Sequence, residues 1–430
     1  MTSFWSLVRR NRNYRYLWSG QVVSEIGDHF NTIAVLSLAY DLTGSGAVVG
    51  GIMISRTLPP ILAAPVAGVL LDRMDRRKIM FWSDVVRAVV ALLFVLVLTH
   101  RQDWMLYLLS ALLVFASPFF SSGRSAVLPR ITAPEELHTA NAVTQTTGWL
   151  TLTFGTMLGG LSTAQFGYEW AFVANSLSFV FSAFAVWKLQ SPRGFYAERS
   201  EIEAHASQRG RFFGDFAESL SYIRRTPLIL AILLAGVGWS TGGGAAQILF
   251  TLFGKAVYNR GAEGIGLIWG FAGVGLVLGG VIGHQLGRRL NYHQYLHAVW
   301  INFLIHGLSY IAFSQTGLLG GICFIALSRM AMGANNVQNR TMLLTHTPDS
   351  MRGRVFSTAE AMNNATMMVS MSVASIAAIH YGPRDIGFVA GLFSTATALP
   401  WAWATFVKKL PEPRREVVPE GDEELGLGAT

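Results

Sequence analysis

Apolar blocks of about twenty residues, separated by short polar stretches, dominate this chain from end to end. A helix rising 1.5 Å per residue needs roughly that length to cross a hydrocarbon core about 30 Å thick. Six such blocks precede residue 190 and six follow residue 225. The first covers residues 16–40, the fifth 140–166, the sixth 170–189 and the eleventh 355–381, and the fifth and tenth are the most polar. The pattern predicts an all-α polytopic membrane protein with twelve transmembrane helices.

The polar stretch from Gln190 to Thr226 interrupts the series and contains Ser191-Pro192-Arg193-Gly194 followed by Glu201, Glu203 and His205. Its second part, Phe212 to Ile223, sets apolar residues at helical spacing opposite Asp215 and Glu218. A helix lying on the membrane surface and one packed on helix ends both read this way. The expected organisation is a six-helix bundle at 1–190, a linker with this amphipathic helix at 191–226, a second bundle at 227–410 and a disordered tail at 411–430. The halves echo each other: Arg124-Ser-Ala-Val-Leu128 before Pro134-Glu135-Glu136-Leu137 matches Arg340-Thr-Met-Leu-Leu344 before Pro348-Asp349-Ser350-Met351. Duplicated units of this kind build many secondary transporters, whose substrate site lies at mid-membrane between the repeats.

Charge adds orientation. Only 13% of the 430 residues are charged and 51% are hydrophobic, against an ordinary charged share of about a quarter. If the N-terminus faces the cytoplasm, 26 of the 33 lysines and arginines fall on that side and four on the other. This asymmetry predicts both termini in the cytoplasm, in the cell's inner membrane. It also assigns the +8 net charge to topology and anionic lipid, not to nucleic acid. The basic stretch Met1 to Arg15 runs into a full-length span and does not read as a cleavable signal. Cys323, the only cysteine, lies inside a span, so neither an intramolecular disulfide nor a CxxC metal site is expected. Walker and HExxH motifs are missing, which argues against ATP-driven transport and against a zinc hydrolase. The expectation is a monomer without metal or cofactor, its partners being membrane lipid and an amphipathic small molecule.

The stretch Gly68-Val-Leu-Leu-Asp72-Arg73-Met-Asp75-Arg76-Arg77-Lys78 resembles the signature G-x-x-x-D-R-x-x-R-R-[KR] between the second and third helices of the major facilitator superfamily, with Asp75 where glycine is commoner. Gly20-Gln21, Ser24, Gly27-Asp28, Asp41-Leu-Thr43-Gly44-Ser45 and Arg352-Gly353-Arg354-Val355-Phe356 are similar to its macrolide-efflux and enterobactin-export branch. The resemblance implies two six-helix bundles working by alternating access and exchanging a drug- or siderophore-like substrate for protons. One departure weakens the antiporter inference: Gly155-Thr156-Met157-Leu158-Gly159-Gly160 stands where many superfamily antiporters carry G-P-x-x-G-G, and the proline is missing. Gly155, Gly159 and Gly160 still permit close helix packing. A lipid or lysolipid flippase of the same fold, and a receptor or scaffold that kept the fold, are the alternatives.

Asp72 follows the C-terminus of the second span, where its own helix dipole disfavours an anion. The resemblance implies a contact with the other half, near Arg352 and Arg354, so that Gly68, Asp72, Arg73 and Arg76 form a gate latch. Neutralising its basic neighbours is the simpler role for Asp72, and topology alone also accounts for the arginines. Glu25 and Asp28 share one face of the first helix at mid-membrane depth, where a charge costs at least about 2.5 kcal/mol on insertion scales. Arg56 lies at matching depth and is the expected partner of Asp28. That pair either couples protons to conformation, with Glu25 as substitute carrier, or is a fixed staple. Asp84 and Arg87, at i and i+3, read as a local ion pair bracing the basic loop. Trp149, Trp239 and Trp269 are candidates to line a substrate cavity. Arg329, Asn335, Asn336, Glu360 and Asn363 either contact substrate or bond neighbouring helices.

Overall fold

Asn11 starts the first long helix, its side chain accepting the backbone N–H of Tyr14 at 3.0 Å. The computed structural model describes residues 4–191, 194–197, 212–407 and 410–412. Linker residues 198–211 and the expected disordered tail beyond 412 lie outside the described residues. A short helix α1 (Phe4–Arg10) leads into α2 (Arg12–Thr43), which ends at Gly44, left-handed at φ 64°. The second pass is α3 (Gly46–Arg73). Asp75 then caps α4 (Arg76–Leu93) by accepting the Lys78 N–H, a role that glycine in the signature would not supply. α5 (Val95–His100) completes the third pass, and α6 (Asp103–Phe115) with α7 (Ser117–Ile131) makes the fourth.

α8 (Pro134–Trp187) is a helical hairpin, because Gly167 at φ 84° and ψ 175° breaks its helical path. The two arms run in opposite directions along α2. Thr147 accepts from Trp18 and Thr151 donates to Glu25 on the first arm, while Tyr168 meets Ser37 and Ser182 approaches Gly20 on the second.

The second half repeats the plan. α9 (Phe212–Arg225) is followed by α10 (Pro227–Leu252), extended by one π-helical turn at Phe253–Val257. Then come α11 (Gly261–Gly287), α12 (Tyr292–Gln315), α13 (Leu318–His346) and α14 (Asp349–Ala377). The last pass is α15 (Pro383–Ala396) with α16 (Ala398–Phe406). Nine of the described stretches are long and apolar enough to cross a membrane, with the hairpin α8 counted once; α2 and α14 fall short of that apolarity. α2 turns Gln21, Ser24, Asn31 and Ser37 inward, whereas α14 leaves Val369, Val373 and Ile376 more than 60% exposed. The helices thus lay out as twelve passes. α9 rests on helix ends, not out on the surface: Ile223 is buried with Leu228, Met351 and Val355, and Tyr222 bonds the carbonyl of His346.

One end of the bundle carries the turns at 74–75, 132–133, 288–291 and 347–348 and is here termed the basic face. The halves meet toward the opposite face. A Cβ on Gly266 of α11 would lie 2.6 Å from the Thr156 carbonyl and 2.7 Å from the Gly160 Cα, so the two backbones touch. Gly46 and Gly50 of α3 likewise face Ala378 and Ser375. Toward the basic face Gly68, Gly148, Gly287 and Gly353 have open space around them. The seam is closed toward the face opposite the basic one.

Candidate functional site

Arg87 of α4 joins three spans. Its Nη2 lies 2.5 Å from Asp28 Oδ2 on α2, its Nη1 3.3 Å from Asp84 Oδ1 on its own helix, and its guanidinium 4.0 Å from the Phe179 ring on α8. The packing that permits this begins with Gly27: a Cβ there would lie 2.8 Å from Asn175 Oδ1, so α8 presses directly on α2. Ser176, one residue on, donates to the Ala88 carbonyl and ties α8 to α4. Asp84 is 0% exposed and its Oδ2 has no hydrogen-bond partner among the described residues; the same holds for Arg87 Nε. Two carboxyls therefore share one guanidinium inside the bundle.

This corrects the expected Asp28–Arg56 pair. Arg56 donates to Thr32 Oγ1 at 2.9 Å and Asn31 Oδ1 at 3.4 Å, one turn beyond Asp28 on α2. Equal depth was the right constraint, but α8 brings α4, not α3, against the Asp28 side of α2. The Asp84–Arg87 contact is present, yet it is buried against Phe179 and shared with Asp28 and so is no brace for the loop.

Glu25 sits in a separate network one turn toward the basic face. It accepts from Gln21 at 2.8 Å and Thr151 at 2.7 Å and faces Arg124 at 3.5 Å. Arg124 lies within α7, and its polar sequence surroundings, Ser121-Ser122-Gly123 and Ser125, gave no signal that it pairs with Glu25.

The gating candidates divide. Arg76, 4% exposed, donates to the carbonyls of Leu71 and Ala126 and so staples the end of α3 to α7. Its role is structural in this state. Arg73 is exposed and Asp72 half-buried. Arg352 donates to the carbonyls of Leu344 and Thr347 and pairs with Asp349, all within its own half. Among the described residues Arg352 makes its contacts within its own half and does not meet Asp72. Arg354 pairs with Glu218 of α9 at 2.6 Å.

Sequence reasoning missed the opposite face, where Lys255 on the π-helical turn holds Asp41 at 2.7 Å across the seam. Asp41 also accepts from Tyr168, which in turn meets Ser37. Asp41 had been noted only as part of a resemblance, and spacing carries no trace of a partner 214 residues away. Because Asp41 is half-exposed, Lys255→Gln is expected to shift the balance toward an open seam modestly, about 2–5-fold. The check is labelling of Ile33→Cys, fully buried in the seam, by an impermeant maleimide in a Cys323→Ser background. A rate equal to that of the parent would remove the clamp.

In the second half, Arg329 is buried beside Phe250, 5.4 Å from its ring. Asn335 bonds Asn302 at 3.0 Å and the Val299 carbonyl at 3.2 Å, which is a helix-packing role. Asn336 and Glu360 are exposed, and Asn363 packs on Gly236 with its Oδ1 unpartnered. Trp149 is 39% exposed, Trp239 packs within the second half, and Trp269 lies at the seam against Ile33 and Ile265. Gly155 and Gly159 receive His29 and Phe30 of α2, and Gly160 meets Gly266.

The profile described as Major Facilitator Superfamily matches residues 17–339. The chain is 26% identical to the uncharacterized MFS-type transporter YfiS of Bacillus subtilis (strain 168), over 97% of this chain and 98% of that one. It is 21% identical to macrolide efflux protein A of Streptococcus pyogenes, over 92% and 96%. In fold it is similar to a bacterial homologue of the iron transporter ferroportin in an inward-facing state, with TM-score 0.68 and 16% identity over 91% of this chain and 98% of that one.

Proposed function

Because the chain belongs to the Major Facilitator Superfamily, and is thus a transporter, we propose that it exports an amphipathic small molecule in exchange for protons. The basic face is cytoplasmic and the membrane is the cell's inner one. The observation that carries this reading is Arg87 shared between Asp28 and Asp84, on two different spans inside the bundle. A proton on Asp28 removes its claim on the guanidinium, which then turns to Asp84 on its own helix and frees α2 from α4. Loss of the proton rebuilds the bridge. Breaking a buried pair costs about 3–5 kcal/mol, comparable to the roughly 5.5 kcal/mol that takes a two-state equilibrium from 1:99 to 99:1.

Export is supported by the macrolide-efflux relative and by the seam, which is closed opposite the basic face. In this arrangement substrate enters from the cytoplasm. When the basic face closes, Asp72 meets the start of α14 near Arg352 and Arg354, and Gly68 gains a neighbour. Glu25, held by Thr151 and Arg124, is the substitute carrier.

The test is movement of fluorescent amphipathic dyes, cationic and anionic, in vesicles with an imposed pH gradient. Wild-type protein is expected to drive at least one dye, and Asp28→Asn to abolish that movement. Full coupling in both Asp28→Asn and Glu25→Gln would sink the carrier assignment. Lysolipid flipping is the second reading, favoured by an apolar cavity of about 450 Å³ that includes Val369, Val373, Ile386, Val389 and Phe393 in its lining. Lysolipid movement without any gradient would select it.

A further inference from the structure

We propose that the second half holds an anion-binding subsite centred on Arg329, so that the transported molecule presents a carboxylate beside an apolar body. This deepens the transporter reading and rests on it. In the first half Glu25 faces Arg124, Asp28 and Asp84 face Arg87, and Arg56 donates to Thr32 and Asn31. Arg329, 7% exposed, is the one buried arginine of the second half among the described residues. Neither a carboxylate nor a hydrogen-bond acceptor among them meets its guanidinium. The Phe250 ring 5.4 Å away offers a negative face, but it leaves the in-plane N–H donors unserved.

Two further donors in the same aromatic group are also unserved. Trp269 Nε1 and the Tyr310 hydroxyl are buried without partners among the described residues. The rings form one connected floor: Phe250 lies 5.0 Å from Trp269 and 5.9 Å from Phe313, which lies 5.6 Å from Tyr310. His306 meets Ser328 through Nδ1, and no hydrogen bond joins it to Arg329 among the described residues. Trp269 carries this floor to the seam, where it packs against Ile33 of the other half. A guanidinium fork matches a carboxylate with two parallel bonds. Aromatic walls suit the apolar body attached to it. A buried guanidinium without a carboxylate partner carries an uncompensated desolvation cost, which an anion supplied from outside would offset.

The experiment uses full-length protein in detergent, without a gradient, and reads its melting temperature with 1-naphthaleneacetate, with the uncharged 1-naphthaleneacetamide, and with sodium chloride. The acid is expected to raise the wild-type melting temperature by several degrees and the amide to leave it unchanged. Arg329→Gln should bind the acid about tenfold more weakly or worse, and Arg329→Lys should retain part of the affinity. Ligand-free Arg329→Met should melt no lower than wild type, because it removes an uncompensated charge. Equal stabilisation by acid and amide would overturn the subsite, and so would a ligand-free Arg329→Met that melts well below wild type without anion stabilisation of the parent. Chloride matching naphthaleneacetate would assign the site to an inorganic ion and overturn the substrate class. Failure of the Asp28→Asn coupling test would leave these outcomes untouched, because no proton movement enters them.

Discussion

Arg87→Met is expected to lower the unfolding free energy by about 3–5 kcal/mol, because it strands two carboxyls inside the bundle. Asp84 is fully buried and has no other cation within ion-pair distance among the described residues, and Asp28 loses its 2.5 Å partner. Both acids would then have to bind protons or draw in water, and the Phe179 ring would lose the guanidinium it covers. The triple variant Asp28→Asn, Asp84→Asn, Arg87→Met should recover most of the loss, since it replaces the buried charges with neutral groups. Arg56→Met is the internal comparison. Its hydrogen bonds go to the neutral Thr32 and Asn31, so it should cost less, about 1.5–3 kcal/mol. Unfolding in mixed detergent at fixed pH measures all three. If Arg56→Met proved the costlier of the two single variants, the Arg87-centred site would be wrong and the Asp28–Arg56 pair restored.

Gly266→Val is expected to reduce transport at least about tenfold while leaving each half folded. The first added carbon would meet the Thr156 carbonyl at 2.6 Å and the Gly160 Cα at 2.7 Å, which is backbone and cannot swing away. The only relief is a wider seam, opposed by the tight fit of Gly270 on Met157 and Gly273 on Thr153 further along α11. A wedge here therefore holds the face opposite the basic one ajar, and the alternating cycle stalls. Labelling of Ile33→Cys from that side, in the Cys323→Ser background, should rise together with the loss of dye movement. Reduced transport with Ile33→Cys still protected would mean that the glycine matters for folding within a half and not for the seam. Gly287→Val, with nothing within 4 Å of the added carbon, is the control expected to transport normally in this respect.

The candidate site was legible to different depths. Glu25 and Asp28 stood out because a carboxylate in an apolar run is costly wherever the helix sits. Asp84 and Arg87 stood out as an i, i+3 pair, and that contact is present. Their union into one cluster was not visible, because depth along a span is the only coordinate the sequence supplies and Arg56 satisfied it as well as Arg87. Arg76 was read as a loop cation and is instead buried under carbonyls of α3 and α7. Charge counts treat every loop arginine alike. The Asp41–Lys255 clamp depends on where two half-bundles touch, a relation between residues 214 positions apart.

By itself the sequence determined which segments enter the membrane, that the chain is helical, that it is duplicated and that its intramembrane charges are few and specific. These are local properties: transfer of apolar side chains and internal satisfaction of backbone hydrogen bonds depend on each segment alone. Only the tertiary structure decided which arginine serves which acid, which glycines form the seam and that Arg329 meets no counterion among the described residues. A helix turns 100° per residue, so facing directions are set by packing against neighbours. Here Gly27 admitting α8 against α2 is what brought Arg87, and not Arg56, to Asp28.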